Sequence, residues 1–273
     1  MQKPRGGRDR LVAIVTGSVL GAVVCVYAYY FWLRQTQPEP APPAPAVAQT
    51  PEPEPEPEVH YPMQASASDK PPPPLEESDP ALQAALADLL NVDVRKQFNL
   101  DSLARRVVVT IDELPRKKLP QKYSLTKPVG GKYLVAGSDD NLAINPNNYR
   151  RYAPFVKLAE TVDSGKLVAV YAYFYPLLEE EYRNLGHTKK YLNDRVVETI
   201  DNLLAAPEIK EPVRLVQNKV MYEYADAALE ELSAGQKVML RMGSDNAARV
   251  KTKLREIRVE ITAPKQAPAQ TKQ

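Results

Sequence analysis

In the stretch YLNDRVVETIDNLL, Asp194, Glu198 and Asp201 are spaced by four and then three residues. On a helix that spacing brings three carboxylates to one face, where oxygen-rich groups can bind a hard cation or share in proton transfer. The same pattern also describes a solvated helix surface, and Lys190 and Arg195 stand near enough to neutralise it. A second polar set joins Tyr191, Asn193, Asp194 and Arg195 to Gln236, Lys237 and Arg241. These residues lie beside expected helix starts and ends and are not needed for any apolar stripe. They make the candidate interaction surface, with helix capping and interhelical salt bridging as the competing reading.

Other chemistry is sparse. The histidines are His60 and His187, and the cysteine is Cys25. Zinc sites of the usual His and Cys types, Cys-His catalysis and haem attachment therefore fall away within one chain. A Ser-His-Asp triad would have to use His187, and no G-x-S-x-G elbow accompanies it. Neither a Walker A loop nor a G-x-G-x-x-G fingerprint is present. No catalytic, cofactor-binding or metal-binding residue is assigned, no cofactor is expected, and enzymatic activity is the secondary expectation.

The candidate residues must be positioned by helices. Asp79-Pro80 is a helix start with proline in the first turn, and Leu82, Leu86, Leu89 and Leu90 then share a face. A second helix is expected over about 101–114, and 115–148 reads as loop with a hairpin, KYLVA-GSDDN-LAI. RRYAPFVKLAETV predicts a short helix. GKLVAVYAYFYPLLEEEYRNLG predicts a longer one, kinked at Pro176, with Tyr173 the aromatic residue facing away from the core. The carboxylate helix buries Leu192, Val196, Ile200 and Leu203.

VRLVQN and KVMYEY predict a second hairpin. SAGQKVMLRMG opens with the capping-box spacing of Ser233 and Gln236 and closes at Gly243. The last helix has a stripe of Ala247, Val250, Leu254, Ile257 and Ile261, with Arg249, Lys251, Lys253, Arg255 and Arg258 covering the rest as a solvated basic face. The whole chain carries a net charge of only +2, so no nucleic-acid partner is expected.

The amino-terminal third has a different character. Residues 1–10 are basic, and residues 11–33 hold no charge. As a helix the uncharged run is about 34 Å long, enough to cross a bilayer core about 30 Å thick. The basic flank predicts a cytoplasmic amino end and a periplasmic remainder, and the long apolar run predicts an uncleaved anchor. Ala13, Gly17 and Gly21 form a small-xxx-small face on which two such helices can pair as a homodimer. Residues 34–80, rich in proline and glutamate, have no apolar face to bury and predict a disordered linker. Pro71 to Pro74 is a docking motif on an alternative reading. The resulting division is 1–10, 11–33, 34–80, a mainly helical domain over 81–262, and a disordered tail over 263–273.

The words YLNDRVVETIDNLLAAPE, VRLVQNKVMYEYAD and LEELSAGQKVMLRMGSDNAARVKTKLRE lie between Tyr152 and Arg258. They resemble a bacterial family of membrane-anchored proteins catalogued only as a domain of unknown function, number three-zero-one-four. The resemblance implies a basic start, one span, a proline-rich stem and this carboxy-terminal domain, mostly in Gram-negative bacteria. It brings no reaction and no catalytic residues. The expectation is a mainly α, single-pass inner-membrane protein whose periplasmic domain serves as an interaction or scaffolding module of the cell envelope. Its expected partners are the bilayer and an envelope protein. The alternative is an envelope enzyme or small-ligand sensor built on Asp194, Glu198 and Asp201.

Overall fold

Apolar residues at helical spacing dominate the chain after residue 78, and the computed structural model is accordingly mainly helical. It describes residues 58–63, 70–138, 141–209, 212–218 and 220–263, all within one compact unit, Glu56–Gln273. The expected basic terminus, the span with Ala13, Gly17 and Gly21, the linker up to residue 57 and the tail from residue 264 lie outside the described residues. No helix among the described residues is long and apolar enough to cross a membrane.

Eight α-helices are described: α1 Asp79–Leu90, α2 Leu103–Glu113, α3 Ala153–Thr161, α4 Ser164–Asn184, α5 Leu192–Leu204, α6 Ala227–Glu230, α7 Ala234–Arg241 and α8 Ser244–Thr262. Two antiparallel strand pairs accompany them. β1 Val135–Ala136 pairs with β2 Ala143–Ile144, and β3 Leu215–Val216 pairs with β4 Glu223–Tyr224. A bridge between Ala143 and Arg214 joins the two hairpins.

The largest apolar cluster packs Leu82 of α1, Leu103 and Val108 of α2, Phe174 and Leu178 of α4, and Leu192 of α5. A second cluster sits under the hairpins, where Ile144, Val213, Leu215 and Tyr224 meet Leu240 of α7.

Carboxylates from neighbouring helices fix two helix starts. Ser102, before α2, adopts a left-handed conformation and makes no side-chain cap, and Asp79 of α1 accepts the Ser102 and Leu103 amides at 2.7 and 2.6 Å. Tyr191 likewise offers no cap to α5, and buried Glu179 of α4 accepts the Leu192 amide at 2.8 Å. A carboxylate satisfies orphan amides and opposes the positive end of the helix dipole, so each contact locks a pair of helices together. The expected Ser233 and Gln236 capping box is present at α7.

Several expectations need correction. The basic face of the last helix is solvated only in part: Arg249 and Arg255 are exposed, while α8 packs against α3, α4, α5 and α7. Lys251 is buried, and its Nζ donates to the Ala206 carbonyl at 2.7 Å and lies 3.3 Å from Glu208. Arg249 pairs with Glu160 of α3, and Arg258 pairs with Asp201 of α5. Tyr173 does not face away either. Its ring meets Phe174 edge-on at 4.8 Å, and its hydroxyl reaches the Pro71 carbonyl at 3.4 Å.

Parts of the 34–80 stretch are among the described residues. Residues 75–77 form a 3-10 turn, Ser78 is buried, and 58–63 lie against α5. There Tyr61 and Met63 pack with Val168, Val197 and Ile261.

Candidate functional site

The three carboxylates of α5 do line one cleft of about 350 Å³, together with Lys189, Lys190 and Tyr191. Each has its own partner there. The two Asp194 oxygens accept the backbone amides of His60 and Tyr61, at 3.2 and 2.7 Å. Glu198 pairs with Arg195 at 2.7 Å, and Asp201 receives Arg258 Nε and Nη2 at 2.5 and 3.0 Å. Among the described residues no group of three or more His, Cys, Asp or Glu side chains is placed to hold a metal ion. The face works as a junction: Asp194 holds the 58–63 strap and Asp201 holds α8.

The interaction set divides. Asn193 is fully buried and donates Nδ2 to the Tyr61 carbonyl at 2.9 Å. Tyr191 is half-buried at the rim of the carboxylate cleft. Gln236 and Lys237 belong to the other end of α5. Gln236 donates Nε2 to the Asn202 carbonyl at 3.0 Å, and Lys237 pairs with Glu230. Nine residues separate Asn193 from Asn202, about 14 Å of helix, so these residues do not make one patch. Arg241 opens onto a third place, described below.

Beneath Arg195 lies a charged node that the spacing of residues did not single out. Asp112, 5% exposed, accepts Arg195 Nε at 3.0 Å and Arg116 Nη2 at 2.8 Å, and His187 Nε2 lies 3.1 Å away. Arg195 Nη2 also donates to the Asp112 carbonyl. The His187 ring stacks on Tyr182 at 4.3 Å, and burial pushes the Tyr182 phenol up to about 12. An aspartate beside a histidine is part of a hydrolytic triad, yet here two guanidiniums also claim the aspartate. Among the described residues no Ser, Thr or Cys is hydrogen-bonded to His187. The node is a buried latch across α2, the α4–α5 turn and α5. The sequence signal was a carboxylate at position 112, in step with buried Val108 and Val109.

The third place is the most aromatic and carries the most exposed large apolar side chains among the described residues. Tyr133, Tyr152, Tyr222 and Tyr224, with Arg151 and Arg241, line a cleft of about 450 Å³ beside the β3–β4 hairpin. The Tyr133 and Tyr222 rings are 6.2 Å apart. Arg151 braces the preceding loop through the carbonyls of Val129, Gly130 and Gly131 at 3.1, 2.7 and 3.0 Å. Burial pushes the Tyr133 phenol up to about 12 and raises those of Tyr152 and Tyr224, against the opposing field of Arg241.

The hairpin tip forms one wall of the cleft, with Val220 86% and Met221 74% exposed. Turn tips are ordinarily polar, so two solvated aliphatic residues beside four tyrosines are an unsatisfied apolar surface. The signal was the word KVMYEY, which periodicity marks only as a strand. A further groove of about 140 Å³ among α1, α2 and α4 is lined by apolar side chains and by Tyr171, whose buried hydroxyl makes no hydrogen bond among the described residues.

The fold is thus a mainly helical domain with two short hairpins, carrying a tyrosine and arginine cleft. The chain belongs to the family described as "Protein of unknown function (DUF3014)", whose model matches residues 103–258. That match runs from the first residue of α2 to the last turn and a half of α8 and contains both the Asp112 node and the cleft. No curated protein and no solved structure matches the chain.

Proposed function

We propose that the protein is a membrane-tethered interaction module of the bacterial cell envelope, which holds a protein partner at the tyrosine and arginine cleft. The observation that carries this reading is the solvated apolar tip, Val220 and Met221, at the edge of a concave surface lined by Tyr and Arg. Tyr and Arg dominate the energetics of protein interfaces, and exposed aliphatic residues gain from being covered. The uncharged run of residues 11–33 behind a basic terminus supports the tether and the periplasmic placement.

The reading is tested by cross-linking in intact cells and affinity isolation of the full chain and of its Met221→Asp variant. A partner held by the wild type and lost from the variant is the expected result. Equal recovery from both refutes the cleft as the docking place.

The alternative, an envelope enzyme or ligand sensor at Asp194, Glu198 and Asp201, draws support from the shared cleft of those carboxylates. Its carboxylates already have partners in the strap amides, Arg195 and Arg258, although Glu198 and Asp201 stay 61% and 46% exposed.

A further inference from the structure

The cleft also indicates what kind of partner it fits. We infer that its occupant is an acidic segment of a partner protein, with one carboxylate on Arg241 and a neighbouring apolar side chain against Tyr133, Tyr222 and Met221. This inference rests on the docking reading above and adds the partner's charge to it.

Charge is the first support. Among the described residues, no carboxylate lies within ion-pair distance of Arg151 or Arg241, although both line the cleft. The carboxylate in the lining, Glu223, is held at the hairpin by Asn218 Nδ2 at 2.9 Å. Glu230, close by, is committed to Lys237 and to the Tyr224 amide. Arg195, Arg249 and Arg258 have carboxylate partners in Asp112, Glu160 and Asp201, whereas Arg95, Arg150, Arg214 and Arg255 share with the cleft arginines the lack of an ion pair among the described residues.

The two guanidiniums have different duties. Arg151 spends its donors on three carbonyls and on Asn148 Oδ1 at 3.2 Å, so it contributes a fixed positive field. Arg241 is exposed in the last turn of α7 and lines the cleft beside Tyr224, with part of its field spent on the Tyr224 phenol and on Glu230. A guanidinium in that setting takes a carboxylate in preference to a neutral group.

Recognition here is through side chains. The Tyr224 amide is taken by Glu230 Oε2 at 2.9 Å, which blocks addition of a partner strand at that point of β4. The apolar half of the occupant meets the tilted Tyr133 and Tyr222 rings, 36% and 38% exposed, and the Met221 side chain beside them. A protein segment fits better than a small anion because the exposed tip extends the apolar surface beyond the cleft.

The test places a benzophenone amino acid at Met221 of the full chain in cells and identifies the adduct. It does so with Arg241 intact, with Arg241→Glu and with Arg241→Gln. The expected result is a protein adduct whose yield falls about tenfold or more with Arg241→Glu and less with Arg241→Gln. Changing the partner's contacting Asp or Glu to Arg should then restore the yield with Arg241→Glu. A protein adduct indifferent to both Arg241 variants overturns the acidic partner and leaves the docking surface standing. A lipid adduct, or no adduct in the wild type, overturns both. Should Arg241→Glu fail to fold, Arg241→Gln still decides the matter, because it introduces no new charge.

Discussion

Asp112 contacts Arg116, His187 and Arg195 while being almost wholly buried. Removing its carboxylate strands the Arg195 guanidinium, 12% exposed, in a poorly hydrated place. Asp112→Ala should therefore cost about 3–5 kcal/mol and Asp112→Asn distinctly less, read from urea unfolding. The tyrosines of the cleft provide a second residue-scale test. Burial raises the Tyr133 phenol to about 12, whereas an unfolded tyrosine titrates near 10. Between those values the unfolded chain loses a proton that the folded one keeps, so stability should fall as pH rises through about 10 to 12. Arg241 opposes the rise at Tyr133, Tyr152 and Tyr224. Arg241→Gln should shift the phenolate absorbance of these residues to still higher pH; an unchanged titration would mean that the guanidinium does not face them.

At the scale of elements, the helices could be read from the sequence because leucine, valine and isoleucine recur at their period. The capping box of Ser233 and Gln236 could be read because both halves lie within one turn of each other. What could not be read are charged groups whose partners are remote in the chain. Lys251 looks like one more cation on a basic face, and only the fold brings the Ala206 carbonyl to it. Asp112 meets Arg195 across 83 residues, and Glu179 caps α5 from another helix. The candidate surface was partly legible for the same reason. Arg241 was singled out, but the tyrosines that surround it come from separate segments of the chain. One element boundary offers a sharp test. Gly243, before α8, has φ +85°, and a Cβ there would sit 2.7 Å from the Tyr149 ring. Gly243→Ala should cost about 1–3 kcal/mol. Gly130→Ala, where a Cβ meets nothing within 4 Å, should stay within about 0.5 kcal/mol. Thermal unfolding of both variants checks the contrast.

Over the whole molecule, the 58–63 strap changes how a tether would work. With Asp194 and Asn193 clamping His60 and Tyr61, the proposed tether would join the domain at residue 58 and not at residue 80. VHYPM is too short for periodicity and sits among prolines, which is why the sequence did not announce it. Asp194→Ala should release the strap, seen as faster hydrogen exchange at the His60 and Tyr61 amides while α8 keeps its protection. Unchanged exchange would mean that Tyr61 and Met63 hold the strap without the clamp. The central claim remains that the tyrosine and arginine cleft is where a partner docks. Val259 is another exposed aliphatic residue, 66% solvated on α8 and far along the sequence from the hairpin. The most direct measurement compares photo-cross-linking in cells from a probe at Met221 with that from a probe at Val259. The account predicts one discrete protein adduct from Met221 and none of that kind from Val259. The same adduct from both positions, or from Val259 alone, would contradict it.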